Sequence, residues 1–404
     1  MQTIRRLCSF EGRYPGTDAE RRAANDLART LEESGRRVEV QPTYVHPQWH
    51  LVYAAHLGLA VGAGLLALVS APAGFALALL VATSLYLDLN TRFYLLRRLF
   101  FRRASQNVLS RGGKPDAPAR LIICAHYDAA RTGWVYGERS TRSAARVPRR
   151  ARVLLGPMRI VFWSTALLVP LLGARLAGVD GRLLAIAQLV LSAVLVISLV
   201  LLVDIALSDI VPGANDNASG VAVALALGRS LDADPPAHLD VWLLLTGAEE
   251  CIGEGMREFV RGQRTQLASG TTYVLAIDSV GFGNVHYISA EGLAVSYAMD
   301  PRLVALCKAI ADADREGAGR FAADAVRSPF LTDATPAAIA GHRAIALTGL
   351  DDRGLPPATY HTPRDTPERV DQRCLVDAHD FALELVRQID RDVARQASAM
   401  AQET

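Results

Sequence analysis

Hydrophobic positions along this chain follow three rhythms, and each predicts a different element. Between residues 16 and 34, Ala23, Ala24, Leu27, Ala28 and Leu31 recur at helical spacing. Thr17 or Asp18 is placed to cap that helix, Glu20 follows in its first turn, and Gly35 is placed to end it. Residues 37–45 alternate instead: Val38 and Val40 face one way, Glu39 and Gln41 the other, until Pro42 breaks the pattern. This predicts a half-buried strand. From Leu121 onward, short and nearly continuous apolar runs at 121–125, 239–245, 273–277 and 344–347 read as strands buried on both faces. Helical stretches at 220–231, 303–313 and 375–394 lie between and after them. The expected class is α/β, with a central mixed sheet covered on both sides.

Four longer apolar runs lack a polar stripe. Residues 51–70 and 73–87 flank a turn at 71–74; residues 160–174, which contain Pro170, and 183–203 form a second pair. Soluble helices keep a polar face, so two transmembrane hairpins are expected. A span needs ~20 apolar residues. The first and fourth runs meet that, and Gln188 is the only strongly polar residue in the fourth. The second and third fall short, which predicts tilt, local thinning or re-entry. Composition agrees: half of the 404 residues are hydrophobic, and mean hydropathy is +0.18. The expected order is a first part of the α/β domain at 1–50, a hairpin at 51–88, a domain segment with a basic loop at 89–152, a second hairpin at 153–207, and the main part of the domain at 208–404.

Net charge is only +2, which argues against a nucleic-acid-binding body. The flanks of the hairpins concentrate arginine: Arg92, Arg97, Arg98, Arg102, Arg103, Arg146, Arg149, Arg150 and Arg152. The loops on the other side carry mainly Arg175 and Arg182 with Asp180. The positive-inside rule therefore predicts a multi-pass protein of the cell (inner) membrane with its α/β domain in the cytoplasm. Residues 92–103 alternatively read as a basic amphipathic helix on the bilayer surface, with the same sidedness. Five cysteines without a CxxC spacing speak against a disulfide framework. The stretch at 1–8 lacks the apolar core of a signal peptide.

Five separate polar positions suggest metal chemistry. His126 stands in an H-x-D pair with Asp128. Asp216 lies in Asn-Asp-Asn-Ala-Ser-Gly before a helix, where Ser219 and Gly220 can serve the helix end and leave Asp216 free. Glu249 and Glu250 follow a buried strand, Asp278 ends another, and His361 sits in a Gly/Pro-rich stretch, Tyr-His-Thr-Pro-Arg-Asp. Together they offer two imidazoles and three carboxylates, with one spare carboxylate beside a ligand. That is the donor set of a two-zinc site, and the spare carboxylate suits a general base. Adjacent carboxylates repel and raise one another's pKa unless a cation is near, so Glu249-Glu250 is the most informative dipeptide. Asp128 can orient His126 directly or support the site from behind. Tyr360 and Arg364 lie near His361 as candidate oxyanion donors. The remaining histidines, His286 among them, lack such a setting.

In this order the motifs resemble the M28 family of zinc metallopeptidases, the aminopeptidase and glutamate carboxypeptidase-like enzymes. The segment Gly12-Arg13-Tyr14-Pro15-Gly16-Thr17 also resembles that family's opening. The likeness spans residues 1–45, 105–130 and 210–390. It implies a phosphorylase/hydrolase-like α/β sandwich and two Zn2+ ions. Asp216 would bridge them, His126 and Asp278 would complete one site, and Glu250 and His361 the other. Glu249 would be the general base and Asp128 would orient His126. Peptide or small amide substrates near the bilayer are expected, with aminopeptidase the leading activity. Carboxypeptidase, amidohydrolase, glutaminyl cyclase and a non-catalytic membrane receptor or scaffold are the rivals. One departure is large: 90 residues separate His126 from Asp216 because the second hairpin lies between them.

Overall fold

In the computed structural model, which describes residues 1–321 and 323–403, nine strands form one mixed sheet. They are β1 (Val38–Val45), β2 (Arg103–Ser110), β3 (Ala119–His126), β4 (Leu239–Thr246), β5 (Thr272–Asp278), β6 (Asn284–Glu291), β7 (Tyr297–Ala298), β8 (Asp324–Arg327) and β9 (Arg343–Leu350). The order is β1-β2-β4-β3-β5-β9-β6-β7, with β8 beside β6. The centre, β4-β3-β5-β9, is parallel. Helices cover both of its faces, so every residue of β4 is buried, and continuous apolar runs are what such strands require. At the β1 edge one face is open, and Val40 and Tyr44 are exposed there.

The first long helix is Asp18–Glu33. Thr17 Oγ1 accepts from the Glu20 amide at 3.2 Å, and Glu20 Oε2 accepts from Gly16 N at 2.7 Å. This reciprocal pairing satisfies donors that a helix start leaves open. Gly35 follows with φ 84°, where glycine is favoured. Leu27 and Leu31 are buried on β2 and its neighbours, worth roughly 1.5–3 kcal/mol each.

The apolar runs form four helices, Trp49–Leu66, Ala71–Leu89, Pro157–Leu176 and Arg182–Leu207. By length and composition each can cross a membrane. The second and third, expected to be short, have 19 and 20 residues. Pro72 and Pro157 sit in their first turns, where a missing N–H costs little. Both helices also run through a charged residue, Asp88 or Arg159, that finds buried partners. The helices form a bundle: Trp49–Leu66 packs on Arg182–Leu207, and Ala71–Leu89 packs on Pro157–Leu176. Gln188 is satisfied inside it, donating to the Gly64 carbonyl at 2.7 Å and accepting from Arg175 Nε at 3.0 Å. Outward faces carry exposed Leu189, Val190, Ile197 and Val200, an apolar surface of the kind that marks a membrane or partner contact.

The insertion points matter most for the site. Val45 and Arg103 are register partners, so residues 46–102 are inserted at the turn of the β1–β2 hairpin. Strand β2 is antiparallel to β4, so it starts at the end of the sheet where β4 finishes. The second hairpin is inserted after the carboxyl end of β3. Both hairpins thus leave from the same edge, the carboxyl end of the parallel strands. Arg97, counted with the basic flank, is not on the surface: its side chain is 0% exposed. The side chain of Arg149 lies outside the described residues.

Candidate active site

Three parallel strands deliver site residues to one level. Strand β3 ends at His126 opposite Thr246 of β4, and β5 ends at Asp278 opposite Thr348 of β9. After β4 the chain turns sharply through Glu249–Cys251. Ala248, Ile252 and Gly253 adopt left-handed backbone there, with φ 54°, 67° and 65°; Ser279 and His361 do so as well, at 55° and 51°. For residues other than glycine this costs of order 1–3 kcal/mol, and such strain clusters where chemistry fixes the backbone. Asp216 lies in an irregular turn, Ala214–Ser219, with a cis peptide bond to Asn217.

Asp216 stands between two imidazoles. Its Oδ1 is 3.2 Å from His126 Nε2 and its Oδ2 is 2.9 Å from His361 Nε2. Asp278 Oδ2 and Glu249 Oε2 approach His126 Nε2 at 3.8 and 3.9 Å, and Glu250 Oε1 approaches His361 Nε2 at 3.6 Å. Ligand atoms of His126, Asp216 and Glu250 all lie within 4.8 Å of one another. The structure therefore brings together all six proposed metal and base residues.

Burial pushes Glu249 well above its usual range; Glu250, Asp278 and Asp333 add to this, and His126 opposes it. Burial also raises Glu250 to about 8 and Asp278 to about 6. Asp216 moves the other way: burial favours its neutral form, but hydrogen bonds from His126 and His361 hold it below the usual carboxylate range. Burial works against charge on both imidazoles, and the surrounding carboxylates outweigh it. Several buried carboxylates facing only two imidazoles are electrostatically incomplete. Glu250 Oε1 has no hydrogen-bond partner although it is buried. Bound divalent metal fits this deficit and this mixture of nitrogen and oxygen donors.

Asp128 supports the site from behind, the second of its two expected roles. Its Oδ1 is 3.5 Å from His126 Nδ1, beyond a good hydrogen bond. Its shorter contacts are to backbone: the amides of Glu249 and Glu250 donate to it at 3.2 and 3.0 Å. It fixes the acidic turn more directly than it orients the histidine. The helix after Asp216 starts otherwise than expected. Asn217 Oδ1, not Ser219, accepts from the Gly220 amide at 2.9 Å; Ser219 Oγ donates to Asn215 O at 2.6 Å. Asn217 also accepts from Ser279 N at 3.0 Å and donates to Ile277 O at 2.9 Å, which ties Asp216 to the end of β5. Arg364 points to Glu138 at 2.8 Å and is half exposed, whereas Tyr360 stacks on His361 with ring centres 4.0 Å apart.

Sequence reasoning passes over several supporting residues. Asp365 accepts from the amides of Asn215 and Asp216 at 2.8 and 3.1 Å. Its place four residues after His361, in the same motif, is the available signal. Buried Arg13 donates to the carbonyls of Tyr127, Pro212 and Gly213, joining the opening segment to the chain just after His126 and just before Asp216. Asp333 Oδ2 accepts from Thr246 Oγ1 at 2.5 Å, and burial raises this carboxyl to about 7. Tyr136 packs on His361 with ring centres 4.6 Å apart. Nothing in the local sequence of Asp333 or Tyr136 marks either. His286 lies on β6, with Nδ1 2.8 Å from Asn284 O.

The model of peptidase family M28 matches residues 202–386. Among curated proteins none matches the chain in sequence. Solved structures share the fold. A Zn-dependent exopeptidase from Parabacteroides distasonis is 14% identical, with 95% of each chain covered and a TM-score of 0.53. A glutaminyl cyclase from Porphyromonas gingivalis is 14% identical, with 96% of each covered and a TM-score of 0.56. A leucine aminopeptidase precursor from Bacteroides thetaiotaomicron is 16% identical, covering 95% of this chain and 94% of that one, with a TM-score of 0.52.

Proposed function

We propose, from the match of the peptidase family M28 model to residues 202–386, that the chain is a membrane-embedded di-zinc metallopeptidase of that family, most simply an aminopeptidase, working at the bilayer surface. The observation that carries this reading is the division of Asp216 between two imidazoles, each with its own further carboxylate. His126 and Asp278 would hold one ion, Glu250 and His361 the other, and Asp216 both. Zinc bound there supplies Lewis acidity toward a carbonyl oxygen and lowers the pKa of water.

The chain's own residues do the rest. Glu249, beside His126 and raised by burial, is placed to take a proton from attacking water and return it to the leaving amine. Asp128 fixes Glu249 and Glu250 through their amides. Asp365 and Asn217 fix the Asp216 turn. Tyr136 and Tyr360 wall the His361 side and exclude water.

Membrane embedding is supported by the four apolar helices and their shared exit from the site-bearing edge of the sheet. Asp216 lies nine residues after Leu207, a reach of roughly 30 Å at most. The site would therefore work on substrates held at or near the membrane surface.

The test is metal content and hydrolysis by detergent-purified protein, on aminoacyl, carboxy-terminal and N-acyl substrates, beside Glu249→Gln. Two zinc per chain, with chelator-sensitive release of N-terminal residues lost in the variant, is the expected result. One zinc per chain with cyclisation of N-terminal glutamine would replace the peptidase with a cyclase; no bound metal would remove the enzymatic reading.

A further inference from the structure

One arginine joins the first hairpin to the acidic turn. Arg97 follows that hairpin in the short turn Leu96–Leu99, and its side chain is wholly buried. Arginine is almost never so buried unless paired, so its partners are informative. Nη2 and Nε donate to the two oxygens of Asp88 at 2.6 and 3.1 Å, a bidentate pair at the end of helix Ala71–Leu89. Nη2 also donates to the Tyr53 hydroxyl, at 3.1 Å, on helix Trp49–Leu66. Nη1 donates to the Cys251 carbonyl at 3.2 Å and lies 3.4 Å from Glu254 Oε1. One guanidinium therefore spans both helices of the hairpin and the turn that carries Glu249 and Glu250.

A second arginine runs the opposite way. Arg257, on the helix Glu254–Gly262 that follows the turn, donates from Nε to the Thr91 carbonyl at 2.7 Å, just past the hairpin. Both guanidinium groups lie over Tyr94, 4.4 and 4.1 Å from its ring centre. The turn between them has left-handed backbone at Ala248, Ile252 and Gly253. Such a backbone persists only where its surroundings over-determine it. Asp128 supplies that restraint from the sheet side, at the two amides. Arg97 supplies it from the hairpin side, at the Cys251 carbonyl.

Adhesion alone does not require this chemistry. Well-packed apolar side chains of similar volume hold two units together about as well as a buried ion pair, without the desolvation cost. A guanidinium adds a rigid planar fork that fixes direction as well as distance. We propose that Arg97 is a positioning residue for the Glu249–Cys251 turn, so that the first hairpin is a working part of the active centre as well as an anchor. The inference rests on the peptidase reading only for the role given to Glu249.

The test uses the full chain in lipid nanodiscs, as wild type, Arg97→Lys and Arg97→Met. Three readouts are taken: zinc content, steady-state kinetics and backbone hydrogen exchange. Lysine keeps the charge but lacks the fork that reaches Asp88 and Cys251 together. For it, kcat should fall about tenfold or more, with KM changed by less than about twofold and zinc content unchanged. Amides of residues 249–254 should exchange about tenfold faster, while those of β3 and β5 keep wild-type protection. Methionine should show the same pattern more strongly; if it does not fold, the lysine variant decides. Unchanged exchange across 249–254 in folded Arg97→Lys overturns the proposal whatever the activity. Equal loss of protection in β3 and β5 overturns it too, because the role would then be general stability. Faster local exchange in a protein whose wild type cleaves no substrate supports the positioning role and sinks the peptidase reading instead.

Discussion

The first hairpin meets the catalytic half through a cluster of buried ion pairs, the second through single charged groups bonded to backbone and hydroxyl, as Arg159 is to Gly292 O and Ser296 Oγ. Around the first, Asp88, Arg97 and Glu254 are all withdrawn from water, and His46 closes the set with its ring 2.9 Å from Glu254 Oε1. At the end of the second, Asp204 accepts from Trp134 N at 2.7 Å, Ser208 O from Arg131 Nη1 at 2.5 Å, and Asp209 O from Thr132 N at 2.9 Å. The loop so held carries Tyr136 to His361. The first hairpin thus bears on the acidic turn and the second on the wall beside His361. If the comparison is right, damage to the two junctions should separate: the first in kcat, the second in KM.

The largest effect should come from chemistry both junctions serve. Glu249→Gln keeps the shape and removes the base, so kcat should fall about 10²–10⁴-fold with zinc content retained. A variant within about tenfold of wild type would remove Glu249 from the proton path, and with it the reason for fixing the turn. Asp128→Asn comes next. Its carboxylate holds two amides of the turn, and hydrogen bonds to a charged group contribute about 1.5–3 kcal/mol. Steady-state kinetics should show kcat lower by about ten- to a hundredfold, in the same direction as Arg97→Lys. A rise in KM alone would break the assignment of this turn to the chemical step.

On the second junction the sharpest probe is Gly133. A Cβ there would sit 2.7 Å from Ile205 Cγ1 and 3.1 Å from Asp204 Oδ2. Gly133→Val must therefore move the loop or the helix end. The backbone at Gly133 is extended, so the strain comes from contact and not from φ. KM should rise about five- to tenfold with a smaller change in kcat, as expected when a binding wall is displaced. A kcat loss as large as that of Asp128→Asn would erase the distinction between the junctions.

How far the sequence reaches follows from what each feature depends on. The buried parallel strands are legible because two-sided burial leaves an unbroken apolar run, as at 239–245. The site residues are legible because they follow those runs directly. The second and third apolar helices read too short in the sequence, because Asp88 and Arg159 look like boundaries until their partners are seen. Arg97 looks like a headgroup arginine for the same reason: its partners lie 9, 44 and 154 residues away. Sequence proximity places Asp128 beside His126, while its shorter bonds reach across 121 and 122 residues. Local pattern reports burial and turns; pairing across the fold is written nowhere in it.

The smallest effect, on stability in acid, also separates the hairpins. Burial favours a protonated Glu254, but Arg97 and His46 outweigh it and hold the carboxyl below its ordinary value of 4.5. A carboxylate depressed in the folded state stabilises fully above its unfolded pKa, and that contribution is lost as pH falls through the folded one. The first junction should therefore weaken below about pH 4.5, as Glu254 takes up a proton and releases Arg97. Thermal unfolding of wild type and Glu254→Gln between about pH 7 and about pH 3 checks this. The variant should be less stable at neutral pH and lose less on acidification. Parallel curves would mean that the charge at Glu254 adds nothing to the fold, leaving Asp88 alone to balance Arg97. The first junction would then rest on one ion pair, and its contrast with the second would be one of degree.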